Sequence, residues 1–169
     1  MALNEHRAPF SPTLWNLEPD NTSTTIKQVW FPGCHGSVGG GDSSHSLSDI
    51  TLAWMVQQLT NYTDLEYNEQ YLRDSRKTFG PDKMNLPWGN APFDESYTGI
   101  WTVSGSKPRT PGHYLTPDQA KRGVKTNETY HRCVAVREQA LGKKWPHPSI
   151  DGLKEEEFGA VEQRLSWKS

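Results

Sequence analysis

The sequence of 169 residues has few cysteines, no excess of charge of one sign and no long apolar run. Its two cysteines, Cys34 and Cys133, form neither a disulfide framework nor a metal-ligand spacing, so we expect no metal site. The formal net charge of -2 at pH 7 leaves no basic stripe, which argues against a nucleic-acid partner. No segment approaches the roughly 18 apolar residues of a membrane span. These absences argue against metalloproteins, nucleic-acid binders and membrane-spanning proteins.

Apolar residues make up only 33% of the chain, but aromatic side chains are plentiful, with 7 Trp, 6 Tyr and 5 Phe. One aromatic side chain can bury roughly 150–250 Å², so we expect a core built from few but large side chains. The aromatic content and the small net charge both disfavour a disordered chain. The length fits a single domain, which we expect to span residues 1–169.

The opening sequence, MALNEHRAPF, lacks the apolar stretch of a secretory signal. Two cysteines without a disulfide framework are typical of proteins that stay in a reducing compartment. We therefore expect a cytoplasmic protein. Nothing in the composition indicates a cofactor, and none is expected.

The chain divides into four parts by its pattern of apolar residues and helix breakers. Residues 1–25 form an extended approach segment that is interrupted by prolines. Residues 26–76 contain a strand at 26–31, a glycine-rich turn at 33–41 and two helices, the first capped by Ser46 or Ser48. The second of these helices is expected at 64–76.

The later half of the chain has weaker signals. Residues 77–125 form a proline- and aromatic-rich loop with a short strand expected at 99–103, and a loop of this length usually serves a function. Residues 126–169 form a helical C-terminal part, with a third helix at 127–141. A lone strand cannot satisfy its own backbone groups. Either weak segments hide further strands, or self-association completes the sheet, and the exposed edge of a strand at 26–31 would favour a homodimer.

Four stretches of the sequence match one known family in the same order along the chain. The most specific is QVWFPGCHGSVGGG followed by LSDITLAWMV, within residues 28–56. The others are ALNEHRAPFSPTLW at 2–15, RTPGHY at 109–114 and TNETYHRCVAVR at 126–137. The sequence resembles the domain-of-unknown-function-2235 group of α/β-hydrolase-like proteins of fungi and bacteria, and its fungal members most of all. The group includes bacterial phospholipase effectors.

The resemblance implies an α/β fold in which the chain corresponds to the later part of a hydrolase-like domain. Such a truncated remnant would consist mostly of helices and long loops with few strands. Complete members carry a Gly-x-Ser-x-Gly nucleophile motif, which is absent from this sequence. Ser37 and Asn4 stand where the family usually has aspartates, and the late histidine of the family falls at His131. The resemblance therefore implies that the nucleophile half and the usual acid are missing.

Four residues are candidates for catalysis. His131 would act as a general acid or base, because histidine exchanges protons near neutral pH; the alternative is a histidine with a purely structural partner. His35 either takes part in catalysis or shapes the glycine-rich turn. Ser37 is a nucleophile candidate on an unusual loop. Asp49 either stabilises the start of its helix or replaces the lost acid by facing His131.

Two groups of residues are candidates for substrate binding. Gly39 and Gly40 would bind an anion through backbone N–H groups, unless the glycines only allow a sharp turn. The second group would line an apolar pocket with a few polar groups, or would form a scattered core. Its members are Trp88, Phe93, Tyr97, Trp101, Arg109, His113 and Tyr114.

These observations favour a small non-hydrolytic enzyme, of the isomerase, cyclase or dehydratase type, that acts on an apolar metabolite by acid–base catalysis. The fungal look of the sequence suggests natural-product biosynthesis as its setting. The alternative is a binding or regulatory protein, or one half of a split serine hydrolase whose nucleophile comes from another chain.

Overall fold

The structure is a computed structural model that describes residues 1–42, 45–79, 93, 105–142 and 145–165. Three short strands are β1 (Gln28–Trp30), β2 (Glu128–His131) and β3 (Lys154–Glu156). The helices are α1 (His35–Gly39), α2 (Ser46–Tyr62), α3 (Glu69–Phe79), α4 (Pro117–Lys121), α5 (Arg132–Leu141) and α6 (Ala160–Leu165), with a 3-10 helix at Ala8–Phe10. Trp88, Tyr97, Trp101 and the strand expected at 99–103 lie outside the described residues.

The three strands form one parallel sheet in the order β1-β2-β3. Val29 pairs with Thr129, which in turn pairs with Lys154. The predicted α/β fold, mostly helical with few strands, is confirmed. Ligands of open parallel sheets bind beyond the carboxyl ends of the strands. The residues that follow β1 and β2 are therefore the first place to look for a functional site.

The strand β2 occupies residues that the sequence pattern assigned to a helix. The third helix was expected over residues 127–141, but α5 begins at Arg132 and His131 is its N-cap. Thr129 and Tyr130 favour extended backbone, and β1 and β3 lie on either side of their strand. Weak segments of the chain thus contain two further strands, which was one of the two ways expected to complete the sheet.

The helix α2 starts at a different residue from the one expected. Its N-cap is His45, which makes no side-chain capping hydrogen bond, while the Ser48 hydroxyl donates to the His45 carbonyl over 3.0 Å. The cap predicted at Ser46 or Ser48 is therefore wrong by one to three residues. The buried residues of α2 are Leu47, Ile50, Ala53, Trp54, Val56 and Gln57. The second predicted helix is α3, displaced toward the C-terminus from 64–76.

Residues 1–3 cover the end of the β1 edge that was expected to be exposed. The Leu3 amide donates to the Phe31 carbonyl over 2.9 Å, and the Phe31 amide donates to the Met1 carbonyl over 2.8 Å. Ala2 forms a parallel bridge with Phe31. The exposed edge on which the homodimer prediction rested is therefore partly filled from within the chain, and the homodimer stays a prediction.

Two apolar clusters pack on the two faces of β1. Successive side chains of a strand point to opposite faces. Val29 and Phe31 join a cluster with α2 and α6, whereas Trp30 joins Leu3, Val134 and Trp145. Of the aromatic loop residues, Phe93 and Tyr114 pack against this second cluster. In the part of the chain that the structure describes, no helix is both long and apolar enough to cross a membrane.

Candidate functional site

A buried carboxylate holds a half-exposed histidine just beyond the carboxyl end of β1. His35 is the first residue of α1, and Glu5 belongs to the segment that runs beside the end of β1. The Glu5 Oε2 atom lies 2.8 Å from His35 Nδ1. The Glu5 side chain is 1% exposed, whereas the His35 side chain is 48% exposed. No hydrogen bond to His35 Nε2 is made by the described residues, so this nitrogen is available to solvent or a ligand.

His35 Nδ1 has two neighbours, one a donor and one an acceptor. Arg7 Nη2 lies 2.6 Å from Nδ1 and donates to Glu5 Oε2 over 2.8 Å. If Nδ1 accepted from Arg7, two acceptors, Nδ1 and the carboxylate oxygen, would stand 2.8 Å apart with no proton between them. With the proton on Nδ1, the ring donates to Glu5 Oε2 but brings two donors, Nδ1–H and Arg7 Nη2, within 2.6 Å of each other, so each tautomer satisfies only one of the two contacts. A neutral ring with its proton on Nδ1 would present Nε2 as its basic nitrogen.

The Glu5 carboxylate is strongly held in its ionised form. Burial alone would raise the pKa of Glu5, but hydrogen bonds from Arg7 and His35 outweigh burial and hold its pKa well below the usual range. Arg7 contributes its backbone amide and Nε, each 2.9 Å from Oε1, and its Nη2 contacts Oε2. Glu5 therefore stays an acceptor throughout the pH range in which a histidine titrates.

Two further residues fix the surroundings of this pair. The Phe10 ring stacks on the His35 ring with centroids 4.2 Å apart, and the Arg7 guanidinium lies 4.3 Å from the Phe10 centroid. Arg109, a predicted substrate-binding residue, is buried and donates to the carbonyls of Lys107 and Phe10 over 2.9 and 2.6 Å. Arg109 therefore links residues 105–109 to the segment that carries Phe10. Burial lowers the pKa of its guanidinium.

His131, the main catalytic candidate from the sequence, is completely buried at the end of β2. Its Nδ1 accepts from the Cys133 amide over 3.3 Å, as an N-cap of α5. Its Nε2 lies 2.8 Å from Glu162 Oε1, but neither of these two buried atoms has a hydrogen-bond partner among the described residues. Nδ1 is thus engaged by the start of α5, and Nε2 faces a buried carboxylate.

Aromatic rings close the remaining space around His131. Phe31 stacks on it with centroids 4.8 Å apart, and Phe158 packs edge-on at 5.1 Å. Glu162, on α6, is the carboxylate that faces His131. α6 thus supplies beside His131 the acid that the sequence analysis looked for at Asp49.

Ser37 lies inside α1 and is buried. Its hydroxyl donates to Asp42 Oδ2 over 2.6 Å and accepts from the Cys34 amide over 3.3 Å. A Cβ at Gly33 would lie 2.7 Å from the Ser37 Cβ, so only glycine fits there. The hydroxyl is committed to holding the turn together, and no histidine contacts it among the described residues.

The structure brings Asp49, Gly39 and Gly40 together around one cavity of about 460 Å³. The cavity is also lined by Phe31, whose ring stacks on His131. Gly40 has a φ of +87°, which favours glycine and fits the sharp turn considered as the alternative to anion binding. His113 and Tyr114 lie elsewhere: His113 is exposed, and the Tyr114 ring packs 6.0 Å from that of Trp30.

The cysteines are placed as small buried side chains. Neither Cys34 nor Cys133 forms a disulfide. Burial, with a smaller contribution from the Glu162 carboxylate, raises the pKa of the Cys133 thiol well above its usual value. A thiol in this state is a poor nucleophile. The described residues contain no cluster of three or more His, Cys, Asp or Glu side chains that could hold a metal ion.

Sequence reasoning missed Glu5 and Glu162, the carboxylates that hold the two histidines. Glu5 lies in an extended segment with no periodic pattern, and Glu162 lies 31 positions after His131 in a weakly apolar stretch. The sequence ALNEHR, residues 2–7, was compared with the family only at Asn4. Its Glu-x-Arg spacing was a usable signal, because in the structure Arg7 closes back on Glu5.

Comparison with known proteins gives one family match. Residues 1–58, about a third of the chain, match the family described as T6SS, phospholipase effector Tle1-like, catalytic domain. That family is related to the domain-of-unknown-function-2235 group that the sequence resembles. No curated protein and no solved structure matches the chain significantly. The match suggests a hydrolase-like origin for the segment that carries Glu5, β1, His35 and most of α2.

Proposed function

We propose that the chain is an acid–base enzyme on a hydrolase-like scaffold, with His35 as the general base and Glu5 as the residue that positions it. The observation that carries this proposal is the contact of 2.8 Å between the buried Glu5 carboxylate and Nδ1 of a half-exposed histidine. The same arrangement of carboxylate, Nδ1–H and free Nε2 orients the general base of serine hydrolases.

In the proposed reaction, His35 Nε2 removes a proton from a carbon or oxygen of a bound substrate and returns it at another position. Glu5 keeps the ring in the tautomer with a free Nε2 and stabilises the imidazolium that forms. Arg7 already neutralises part of the Glu5 charge, so this stabilisation is smaller than a carboxylate alone would give. Positioned proton transfer of this kind contributes about 10²–10⁴-fold to a rate.

Isomerisation, cyclisation or dehydration fits such a site better than ester hydrolysis through an acyl-enzyme. An acyl-enzyme needs an activated nucleophile, and the Ser37 hydroxyl is buried and bound to Asp42. The apolar metabolite as substrate and the fungal biosynthetic setting extend the resemblance seen in the sequence. His131 takes a structural role in this proposal, because it is completely buried, caps α5 through Nδ1 and faces the Glu162 carboxylate with Nε2.

A proton-abstraction probe tests the proposal. With 5-nitrobenzisoxazole, which opens when a base removes its ring proton, the wild-type protein should react about 100-fold faster than the His35→Gln variant. The control is His113→Gln, because His113 is exposed and lies outside the pair. A wild-type rate in His35→Gln would contradict the role of His35. Assaying 4-nitrophenyl butyrate in parallel separates carbon-acid chemistry from activation of water.

A second candidate function is favoured by the match of residues 1–58 to a phospholipase effector catalytic domain. The chain would then be the later part of a serine hydrolase, with its nucleophile supplied by another polypeptide segment. A fluorophosphonate probe, which labels activated serines, should then label a co-purifying chain in the native host. Labelling of this chain at Ser37 would contradict both candidates, because each leaves Ser37 unreactive.

We also propose that the protein forms a homodimer and is located in the cytoplasm. Light scattering at micromolar concentration should then give about twice the chain mass of 19.1 kDa. A particle of single-chain mass would contradict the homodimer without affecting the role of His35, since both members of the Glu5–His35 pair belong to one chain.

A further inference from the structure

The cavity beyond the end of β1 has the composition of a small-molecule site. It lies between the turn that follows α1 and the first turns of α2, with a volume of about 460 Å³. Ligand sites commonly have volumes of about 300–1,000 Å³ and walls that are mostly apolar with a few polar groups. The apolar side chains of this wall are Phe31, Val38, Leu52, Trp54 and Met55. His35 is not part of the wall, so a ligand here is independent of the proposed acid–base reaction.

Two apolar side chains at this cavity remain open to solvent. Leu52 is 49% exposed and Met55 is 47% exposed, three positions apart on α2. Residues at this spacing share one face of a helix, so the two side chains present a continuous apolar surface. A ligand with an apolar body would remove this surface from water, and each buried CH₂ group contributes about 0.8 kcal/mol.

The charge at the cavity determines which polar group such a ligand should carry. Asp49 lines the cavity, and among the described residues no Lys or Arg side chain does. The Met1 amino group, also at the wall, donates to the Val29 carbonyl, and burial lowers its pKa to about 6. Asp49 lies three positions before Leu52, so its carboxylate and the apolar surface are presented by neighbouring turns of α2. A carboxylate can accept from more than one donor, so a ligand cation can join the interactions that Asp49 already makes. An anionic ligand would be repelled.

The turn that forms the opposite wall is fixed to α2. The Thr51 hydroxyl donates to the carbonyl of Val38 and also approaches the carbonyl of Ser48. Gly39 and Gly40 follow Val38 and add no side chains that would fill the space. The hydrogen bond from Thr51 to Val38 therefore joins the two walls of the cavity.

We propose that this cavity binds a small amphiphilic cation, with its apolar body against Leu52 and Met55 and its ammonium group at Asp49. The ligand class is an alkyl or flat apolar amine. The juxtaposition of one carboxylate with an exposed apolar pair on the same helix carries the proposal.

Three probes with the same alkyl chain test the charge preference. Isothermal titration calorimetry at pH 7 should show saturable binding of octylamine, weaker binding of octanol, and binding of octanoate at least about tenfold weaker than that of octylamine. Octanoate that binds as tightly as octylamine, or octylamine that shows no saturable binding, would overturn the proposal.

Substitutions on α2 locate the two parts of the site. Asp49→Asn should weaken octylamine about fivefold and leave octanol unchanged, whereas Asp64→Asn, at an exposed position outside the cavity, should change neither. Leu52→Gln should weaken both ligands, and the matched Leu65→Gln should not, because Leu65 is 58% exposed and lies outside the wall. None of these positions belongs to the buried core, so unchanged binding in Asp49→Asn or Leu52→Gln would refute the assignment.

Discussion

Glu5 and Arg7 are separated by one residue, yet their side chains meet and together hold His35 from a distant part of the chain. The sequence identified His35 as a candidate but offered no partner for it, because contacts across 30 positions leave no local pattern. It identified His131 more strongly through family resemblance. The structure gives each of these two histidines a buried carboxylate, but only the His35 side chain is half exposed, whereas that of His131 is fully buried.

At the residue scale, Glu5 makes folding dependent on pH. The pKa of Glu5 in the folded state lies below its unfolded value of about 4.3. The contribution of Glu5 to the free energy of unfolding is therefore fully present above about pH 4.3, and it is lost as the pH falls toward the folded-state pKa. Urea denaturation from pH 7 to pH 3 should show a free energy of unfolding that falls with a slope of up to about 1.4 kcal/mol per pH unit from this group.

The variant Glu5→Gln removes this titration, so the acid limb of its stability curve should be shallower while its stability at pH 7 is lower. The matched control is Glu66→Gln, at an exposed position, which should keep the wild-type limb. An acid limb of Glu5→Gln as steep as that of the wild type would show that other carboxylates cause the loss of stability.

At the scale of elements, the sequence predicted the strand β1 and the helix α2 well, because both carry strong local patterns. The prediction failed at β2, because its residues, ETYH, come directly before a helical pattern and were assigned to that helix. The strand character of these residues comes from neighbours on both sides, β1 and β3, which no local window contains. The short helix α6 was missed for the same reason, since Val161 and Leu165 become core residues only through packing against α2.

The contact between β2 and α6 through His131 and Glu162 should contribute strongly to stability. Replacing Glu162 by Ala removes the carboxylate that faces Nε2 and also the acceptor for the Gly159 amide, 2.7 Å away. Because a buried polar group would lose its partner, Glu162→Ala should lower the free energy of unfolding by about 2–4 kcal/mol.

Urea denaturation measures this loss, and Gln163→Ala, at the exposed neighbouring position of α6, should cost less than about 1 kcal/mol. Glu162→Gln keeps an acceptor for Gly159 and should fall between the two. Equal stability of Glu162→Ala and Gln163→Ala would mean that α6 is not anchored through His131.

At the scale of the whole molecule, the edges of the sheet are less open to another chain than the sequence suggested. Residues 1–3 lie along one end of β1, and the other sheet edge, β3, carries Lys154, Glu155 and Glu156. Charged side chains on an edge strand discourage pairing with another chain. The sequence could not anticipate the covering of β1, because the segment 1–3 has no strand pattern of its own.

Cys133 reports on the unfolding of this whole arrangement. It lies on α5, is fully buried in the apolar cluster that also contains Val29 and residues of α2 and α6, and burial raises its thiol pKa. Its alkylation by iodoacetamide at pH 8 should therefore proceed at the rate set by unfolding and should accelerate with urea in step with it. A Cys34→Ser variant isolates the signal of Cys133. Rapid labelling of Cys133 in the native protein would contradict the burial of this thiol.

The proton-transfer role of His35 is the central claim, and the reaction of 5-nitrobenzisoxazole with Glu5→Gln, His35→Gln and wild-type protein tests it most directly. The account predicts that His35→Gln reduces the wild-type rate about 100-fold. Glu5→Gln should reduce it less and shift its pH profile, because the ring loses its orienting carboxylate. The decisive contrary result would be a rate in His35→Gln equal to that of the wild type.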